Sequence, residues 1–467
     1  MERLALVMLV GGLAAGLTEA QTAKPPLPEL GAAAVSELSA PGTLPKTPLG
    51  LEQLIQLAFE RNPNLRAAAE RIGEAQARLT EASAAFYPQL AARVGYQRTN
   101  DPSRAFAMIV AQRRFTNNDF LNINNPADTS DFRPELLGTM SLYHGGQDYE
   151  ARKAAELGID VAALERLALR NDLAEAVTAA YFTTLAAQEQ IKVVQQSLVA
   201  VAGALKYTEA RYAEGAALKA DKLSLDVRMA EAWDAEIRAK NSVALALTSL
   251  KTLLGVSDAV ELSLTPPAVA TVFKLDGSLN ERRAQALARR AEVQGAVRRV
   301  RMREHELKAA QGANLPRVNA FATYGQNTPD PDFSLRHDNF TVGIAAEVDL
   351  FTGQRNAARI QAARQRLAEA QALEQQARLN VEAEVKKGWL SLEEALARIA
   401  VADMAANAAD EALRLVRERY EAGAAPITRY LEAEVARSEA QTRAVTTRFE
   451  ASQAQGMLDK AVGRWNE

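Results

Sequence analysis

The sequence predicts an all-α chain that also carries a few strands suited to a membrane, and three observations lead to this fold class. The stretch from Gln147 to Gly255 contains no proline and is rich in good helix formers, so it predicts very long helices. Shorter stretches alternate apolar and polar residues, as strands with one apolar face do. The same order of helical and alternating stretches occurs a second time along the chain, which indicates an internal duplication.

Residues 1–20 predict a secretory signal peptide. A basic start at Arg3 precedes an apolar core and a small-residue exit near Ala20, and this core is too short to span a membrane. The alternative is a buried N-terminal helix. No cysteine follows the core, so we expect no lipidated N-terminus. Residues 21–50 hold six of the seventeen prolines and are interpreted as an extended leader.

Composition and motifs exclude several classes of function. The formal net charge is only -3, with acidic and basic residues interspersed, so we expect no nucleic-acid partner. The absence of cysteine excludes disulfides, thiolate metal sites and a cysteine nucleophile. The three histidines lack partners at metal-ligand spacing, and no hydrolase or phosphate-loop motif occurs. We therefore expect no enzyme activity, no catalytic residue, no metal and no cofactor.

The first copy of the duplication, repeat 1, is predicted over residues 51–255. It begins as a helix interrupted near Pro63, and the period changes from helical to alternating at Gln89. The run from Gln147 to about Ala213 would form a helix roughly 100 Å long, which must fold back as a hairpin. In order, we predict a helix, strand 89–97, loop 98–133, strand 135–143, the long helix, a hairpin tip at 211–219 and a return helix.

The second copy, repeat 2, is predicted over residues 279–464, after a connector at 256–278. Tyr87-Pro88 matches Leu315-Pro316 at a distance of 228 positions, whereas Arg211-Tyr-Ala-Glu-Gly215 matches Arg419-Tyr-Glu-Ala-Gly423 at 208 positions. The offset changes only across the loop between the strands, so this loop is 20 residues longer in repeat 1. In order, we predict a helix, strand 317–326, loop 327–338, strand 339–350, the long helix, a tip at 419–427 and a return helix.

The alternating strands are predicted to cross a membrane. Each strand has the ~9–11 residues that a bilayer requires, and one face of the strand is apolar while the other is polar. The alternative is a soluble sheet packed on a core, which alternates in the same way. Four strands cannot close a barrel, which needs about eight, and open edges are not tolerated in lipid, so several copies must contribute strands. The residues assigned to the lipid-facing barrel wall are Leu90, Val94, Tyr96, Met140, Leu142, Val318, Tyr324, Val342, Ile344 and Val348.

This duplicated plan in an exported chain resembles the TolC family of outer-membrane efflux and secretion ducts, from Leu51 to Arg464. The most specific marks are the paired tip motifs, each followed by a helix restart with a leucine, Leu223 or Leu431. The resemblance implies a homotrimer with a 12-stranded outer-membrane β-barrel, four strands per chain, continued by a long periplasmic α-helical barrel. It also implies a passive duct of a Gram-negative-type cell that docks onto a periplasmic adaptor and an inner-membrane transporter of the RND, ABC or MFS type.

The resemblance also points to an entrance at the hairpin tips. In the family, two acidic residues line this entrance, and the matching positions are Arg429 and Glu432. Only Glu432 is acidic, so the resemblance does not carry over a doubly acidic ring. The family's basic closing residue matches Ala425, although its partner position, Asp221, is acidic. We predict instead that Arg429 pairs with Asp221 or Glu432 and helps to hold the entrance closed; the alternative is an ordinary solvated arginine.

Residues on both tips complete the predicted site. Tyr212 and Tyr420 either narrow the entrance, pack against the neighbouring coil or cover the end of their own helix. The tip glycines are predicted to be left-handed helix caps. The residues predicted at these exposed turns, where an adaptor would dock, are Arg211, Gly215, Arg419 and Gly423.

The leading functional hypothesis is an outer-membrane exit duct for a tripartite efflux pump or for type I secretion. The competing hypothesis is a soluble periplasmic coiled-coil adaptor or scaffold. An adaptor would carry a β-domain between its hairpin helices, and only short tips lie there in this sequence. A hydrolase is a more distant alternative. Drugs, metal ions, oligosaccharides and unfolded proteins all remain open as cargo, because a water-filled tube selects weakly.

Overall fold

The computed structural model describes residues 47–267, 275–334 and 336–466. The predicted signal peptide, nearly all of the predicted leader and the middle of the predicted connector lie outside these residues. Repeat 1 contains α1 (Leu51–Arg61), α2 (Pro63–Ser83), β1 (Gln89–Thr99), α3 (Pro102–Ala111), α4 (Asn117–Leu121), β2 (Thr129–His144), α5 (Gln147–Ala213) and α6 (Lys219–Leu254). Repeat 2 contains α7 (Leu279–Arg289), α8 (Ala291–Gly312), β3 (Arg317–Gln326), β4 (Asp338–Glu347), α9 (Arg355–Glu421) and α10 (Ile427–Ala461).

The two longest helices, α5 and α9, have 67 residues each, so each is roughly 100 Å long. Each folds back through a five-residue turn onto a shorter helix, α6 or α10. The pairs α5–α6 and α9–α10 pack as antiparallel hairpins, and α5 also packs on α10. Helix α8 contacts both α5 and α9, so the two repeats share one helical layer.

Each repeat begins with two short helices separated by a break. The residue at this break contacts the end of the last helix of the same repeat. In repeat 1, Asn62 caps α2 by accepting from Asn64 N at 2.8 Å, and its amide donates to the carbonyl of Leu253 at 2.8 Å. Pro63 fits the first position of α2 because no intrahelical donor is needed there. In repeat 2, the same position is Arg290, which donates to the carbonyl oxygens of Lys460 and Ala461 at 3.3 Å. An amide and a guanidinium thus cap equivalent helix ends.

The four strands form one antiparallel sheet in the order β1-β2-β3-β4. Its register places Leu90 opposite Gly138, Leu136 opposite Tyr324, and Tyr324 opposite Phe340. One face is therefore entirely apolar between the strand ends, whereas the other is mixed and mostly polar. The apolar face consists of Leu90, Ala92, Val94, Tyr96, Phe132, Pro134, Leu136, Gly138, Met140, Val318, Ala320, Ala322, Tyr324, Phe340, Val342, Ile344 and Ala346.

Two residues assigned to the lipid-facing wall need correction. The register between β2 and β3 shifts between Ser141 and Tyr143, so Leu142 lies in a bulge and Tyr143 pairs with Val318. The bulge adds one residue to β2, which exchanges the faces beyond it. Val348 follows the last residue of β4 and belongs to the connection to α9, because the strand ends at Glu347 rather than at the predicted residue 350.

The predicted loop 98–133 contains regular structure. It holds α3 and α4, and its last five residues already belong to β2, which begins at Thr129 rather than at 135. Asp101 caps α3 by accepting from Arg104 N at 3.0 Å, and Pro102 occupies the first position. Pro134 conceals the early part of β2 in the sequence, because proline is rare inside strands, and the pairing with β1 reveals it.

The chain passes from the sheet to the long helices through tight turns. Gly145 and Gly146 have φ values of 59° and 75°, and in repeat 2 Gly353 and Gln354 have 60° and 69°. A side chain at Gly145 would clash with the carbonyl of Gly312, the last residue of α8. The first turn thus requires glycine both for its left-handed backbone and for this close approach. Within the part of the chain that the structure describes, no helix is both long and apolar enough to cross a membrane.

Candidate functional site

The two helix turns that join α5 to α6 and α9 to α10 have the same geometry. Gly215 and Gly423 both have φ 74°, the left-handed conformation that the sequence predicts for them. Ala216 N donates to the carbonyl of Arg211 at 2.7 Å, and Ala424 N donates to that of Arg419 at 2.8 Å. These bonds close a Schellman cap, which satisfies the last carbonyls of each long helix. We call the two turns and the first helical turns beside them the tip region.

Three tyrosines join the two hairpins in the tip region. Tyr420, at the end of α9, is buried, and its hydroxyl lies 2.6 Å from the Thr208 hydroxyl on α5. Its ring packs against Tyr207 and Tyr430, with centroid distances of 5.9 and 5.7 Å. The Tyr430 hydroxyl donates to the carbonyl of Ala200 on α5 at 3.1 Å. Burial, with the nearby Glu434 carboxylate, raises the pKa of Tyr430 to about 12, so this hydroxyl stays a neutral donor.

Further contacts tie the second tip directly to α5. The Tyr207 hydroxyl donates to the carbonyl of Glu421, the last residue of α9, at a distance of 2.6 Å. The Arg211 guanidinium lies 5.8 Å from the centre of the Tyr207 ring, a cation–π distance. It also approaches Gly423 of the second turn. Arg211 therefore lies between the two tips, whereas Arg419 is exposed.

A buried ion pair lies a short distance above the tips. Glu434 on α10 is fully buried and accepts hydrogen bonds from Arg228 Nε at 3.0 Å and Nη2 at 2.8 Å. Ser197 on α5 donates to its other carboxylate oxygen. Burial alone lowers the pKa of Arg228, but hydrogen bonds to Glu434 and Glu231 outweigh it and raise the pKa. One carboxylate thus links α5, α6 and α10.

The structure places the predicted gate residues in different environments. Arg429 Nη1 lies 3.1 Å from Glu432 Oε2, three residues later on the same helix, and both side chains are largely exposed. Asp221 accepts from Leu218 N at 3.4 Å and caps α6, and within the protomer Arg429 contacts Glu432. Because an exposed pair contributes only ~0–1 kcal/mol, the role of Arg429 in closing the entrance stays a prediction.

The two tip tyrosines differ although their sequence motifs match. Tyr420 packs between the coils, whereas Tyr212 is 43% exposed. Sequence reasoning missed Thr208 and Glu434, and it treated the charges along the helices as solvated. A signal for Glu434 exists in the spacing, because Ile427, Tyr430 and Glu434 share one helical face and all three are buried.

Two helices leave apolar side chains without a partner in the protomer. On α6, Leu223 and Ile237 are 51% and 67% exposed, and each precedes a buried residue by two positions. Two positions correspond to about 200° around a helix, so these side chains face away from α5. On α9, Leu390 and Met404 are 49% and 66% exposed and lie on the side away from the buried Leu392. The other exposed large apolar side chains on α6 and α9 within the described residues are Val227, Trp233, Leu245, Leu373, Leu379, Val401 and Leu415.

Among the described residues, no group of three or more histidine or acidic side chains is arranged to hold a metal ion. The chain also contains no cysteine.

Residues 54–256 and 283–464 match the family model described as outer membrane efflux protein, and this match covers most of the chain. The chain belongs to the outer membrane efflux protein family. The matched ranges coincide with the two structural repeats. They leave out the segment between α6 and α7 that the sequence predicts as a connector.

Two proteins that are similar to this chain in sequence are export components. The pyoverdine export outer membrane protein OpmQ of Pseudomonas putida is 26% identical over 435 residues, which cover 88% of this chain and 85% of OpmQ. The alkaline protease secretion protein AprF of Pseudomonas aeruginosa is 26% identical over 226 residues, which cover 46% of each chain.

Solved structures share the fold. The outer membrane protein VceC of Vibrio cholerae superposes with a TM-score of 0.74 at 21% identity, over 88% of this chain and 96% of VceC. The outer-membrane channel OprN superposes with a TM-score of 0.77 at 19% identity, over 89% and 91% of the two chains. The predicted family and fold class, a helical tunnel fold with a four-stranded sheet, are confirmed.

Proposed function

We propose that the protein is a passive outer-membrane exit duct, which carries cargo across the periplasm and the outer membrane. The observation that carries this proposal is the join between an apolar-faced sheet with two open edges and a pair of helices roughly 100 Å long. The sheet has the strand length of a bilayer wall, and the helices have the reach of a periplasmic tunnel. Membership of an export family supports the same function.

The functional unit is a homotrimer. A four-stranded sheet leaves the backbone groups of β1 and β4 unpaired at its edges, and lipid does not tolerate such edges. Three copies provide twelve strands, enough for a closed barrel in which β1 of one copy pairs with β4 of the next. The apolar side chains on α6 and α9 support this arrangement, because closing the tunnel brings α6 of one copy beside α9 of its neighbour.

In this trimer the apolar sheet face contacts outer-membrane lipid, and the polar face lines a water-filled lumen. Residues such as Val342 and Ile344 are 63% and 70% exposed in the protomer, as a lipid-facing wall requires. Thr341 and Ala345 are the neighbours of these residues on β4 and point to the opposite side of the sheet, so they face the lumen. The predicted signal peptide, which would export the chain, fits this location.

The tip region forms the periplasmic entrance, where an adaptor protein and an inner-membrane RND, ABC or MFS transporter dock. The turns at Gly215 and Gly423 are exposed and share one left-handed cap geometry, which suits docking. Arg429 and Glu432, together with Asp221, lie near the end of the tunnel that must open. An Arg429→Glu substitution should raise the conductance of the trimer in a planar bilayer, and an unchanged conductance would refute a closing role for Arg429.

The proposed cargo consists of small molecules or proteins. The relatives include a pyoverdine exporter and a protease secretion protein, so small molecules and unfolded proteins both fit a wide lumen. The competing function is a soluble periplasmic scaffold, which the same hairpins would suit. It does not explain a sheet whose apolar face carries exposed side chains on β1 and β4, such as Leu90 and Ile344.

Neighbouring residues on β4 provide a matched test. Ile344→Arg places a charge on the apolar face and should prevent recovery of trimers from outer membranes, since arginine near the bilayer midplane costs about 2–4 kcal/mol. Ala345→Arg places the same charge on the polar face and should leave trimers intact. Detergent extraction followed by size-exclusion chromatography and cross-linking provides the readout. Recovery of the parent as a buffer-soluble monomer would favour the scaffold.

A further inference from the structure

The residues 102–126, which follow β1 and precede β2, contain α3 and α4, and we call them the mouth segment. They lie at the end of the sheet remote from the long helices. The corresponding connection between β3 and β4 is 20 residues shorter by the offset of the two repeats, and it contains no helix among its described residues. The mouth segment is therefore an addition specific to repeat 1.

The mouth segment packs on the polar face of the sheet. Gln112, which ends α3, is fully buried, and its amide donates to Asp131 Oδ1 at 2.9 Å and to the Ser130 carbonyl at 2.7 Å. Asp131 pairs with Gln97 in the register, on the face opposite to that of Tyr96 and Phe132. Since Asp131 points to the polar face, the helix end that contacts its side chain lies on that face.

A continuous polar network holds the segment there. The second oxygen of Asp131 accepts from Asn327 Nδ2 at 2.7 Å, and Asn327 Oδ1 accepts from Asn339 Nδ2 at 2.9 Å. Arg114 Nε donates to Gln112 Oε1 at 2.7 Å, so every hydrogen-bonding atom of the Gln112 side chain has a partner. The three central members, Gln112, Asp131 and Asn327, are buried and hydrogen-bonded, and such a network favours one arrangement. This network spans β2, the β3–β4 connection and β4, and so fastens α3 across the top of the sheet.

The apolar side chains of α3 are partly buried and partly exposed. Ala105, Met108 and Ile109 are buried, and α3 packs against β2. Phe106 is 38% exposed and contacts Phe115, which is 41% exposed, with ring centroids 5.3 Å apart. The mouth segment thus presents bulky, partly exposed aromatic side chains.

We propose that the mouth segment narrows the outer mouth of the duct from within, so that bulky solutes outside the cell are kept from entering the lumen. This inference rests on the proposed function, because it takes the polar face as the lumen wall. In a trimer, three mouth segments converge on the axis, each fastened to its own sheet by Gln112 and Asp131. A segment on the lumen face reduces the open cross-section, whereas a loop on the lipid face would not.

The absence of native cysteine allows a direct test in intact cells that express the full chain. A cysteine at Ala345 would lie on the polar face about 20 Å below Asn339, since the two are six residues apart on β4. The matched variant Ile344→Cys lies on the apolar face. Each is treated from outside with a small membrane-impermeant methanethiosulfonate and, separately, with a maleimide carried on a polyethylene glycol chain of several kilodaltons.

We expect the small reagent to label Ala345→Cys but not Ile344→Cys, and the bulky reagent to label Ala345→Cys slowly. Replacing residues 102–126 by a short Gly-Ser linker should raise the bulky reagent's rate by roughly tenfold or more, as removal of a lid does, without changing that of the small reagent. Gln112→Ala/Asp131→Ala, which keeps the segment but removes its anchor, should raise the bulky rate as well.

The inference would be overturned if the bulky reagent labelled Ala345→Cys at the same rate in the parent, in the linker variant and in Gln112→Ala/Asp131→Ala, while the small reagent labelled it normally in all three. That result would leave the proposed duct function unaffected. If the small reagent failed to reach Ala345→Cys even without the segment, the polar face would not line a water-filled path. That different result would refute the proposed function itself and with it the mouth constriction.

Discussion

Arg228 on α6 donates two hydrogen bonds to the same carboxylate oxygen of Glu434 on α10, and Glu434 has no solvent exposure. The two helices belong to different repeats, so this pair connects hairpins that the duplication would otherwise leave independent. Removing one partner of a buried pair is costly because the other charge remains buried. The pair therefore fixes how the second hairpin lies on the first.

Arg228→Met should destabilise the protein by about 3–5 kcal/mol, because Glu434 would keep only Ser197 as a partner. Unfolding of the detergent-solubilised protein in guanidinium chloride, followed by its helical circular dichroism, measures the change. Arg443→Met on the exposed side of α10 is the control and should shift the midpoint little. The double variant Arg228→Met/Glu434→Leu should recover much of the loss. A double variant as unstable as the single one would show that the ion pair is not the cause.

Asn62 has two separable roles, which two substitutions distinguish. Asn62→Ser keeps an oxygen that can cap α2 but loses the amide that donates to the Leu253 carbonyl, so it should cost about 0.5–1.5 kcal/mol. Asn62→Ala loses both interactions and should cost about 1 kcal/mol more, the usual value of an N-cap. The same unfolding measurement ranks the variants. Equal losses for serine and alanine would mean that the oxygen does not stabilise α2.

Tyr420 and Tyr212 occupy matching positions in the two tip motifs, which makes them a natural pair for comparison. Tyr420→Phe should cost about 0.5–1.5 kcal/mol, because the buried hydroxyl bond to Thr208 is lost. Tyr212→Phe should fall within about 0.5 kcal/mol of the parent, since the side chain is 43% exposed. Thermal unfolding of both variants checks this ordering. A larger effect at Tyr212 would contradict the packing described for the tip region.

The sequence predicts the long elements well because their periodic patterns are local. Helix α5 begins and ends at the predicted Gln147 and Ala213, and β3 occupies the predicted residues 317–326. The start of β2 at Thr129 was not predicted, because Pro134 argues against a strand interior although the residues from Asp131 to Leu136 do alternate; pairing with β1 reveals the strand. Helix α3 has a visible start in Asp101-Pro102 and mostly apolar residues after it, but the polar residues on both sides of it favour a loop.

The site was predicted less completely than the fold because its contacts join distant parts of the chain. The tip glycines are local features, and their left-handed backbone follows from the sequence. In contrast, Glu434 meets Arg228 across 206 positions, and Tyr420 meets Thr208 across 212. The spacing of Ile427, Tyr430 and Glu434 places Glu434 on a buried face of α10, but nothing within that helix reveals Arg228 as its partner. Because the two tip motifs match, the sequence also does not reveal that Tyr420 is buried whereas Tyr212 is partly exposed.

Glu175 on α5 gives the protein a specific pH dependence. Burial raises the pKa of its carboxyl, Lys460 partly offsets this rise, and Asp172 adds to it. The folded-state pKa therefore lies above that of the unfolded chain, so the folded state binds this proton more readily. The contribution of Glu175 to stability is most favourable below the unfolded pKa and declines as pH rises through the folded value.

Glu175→Gln should accordingly be more stable than the parent at pH 7, because an unfavourable buried charge is removed. The difference should shrink as the pH falls below ~4, where the parent carboxyl is mostly protonated in both states. Thermal unfolding of the two proteins across this pH range measures the effect. Glu439→Gln, at an exposed glutamate of α10, controls for the loss of one negative charge. A Glu175→Gln variant that is less stable than the parent at pH 7 would show that attraction to Lys460 outweighs burial at this position.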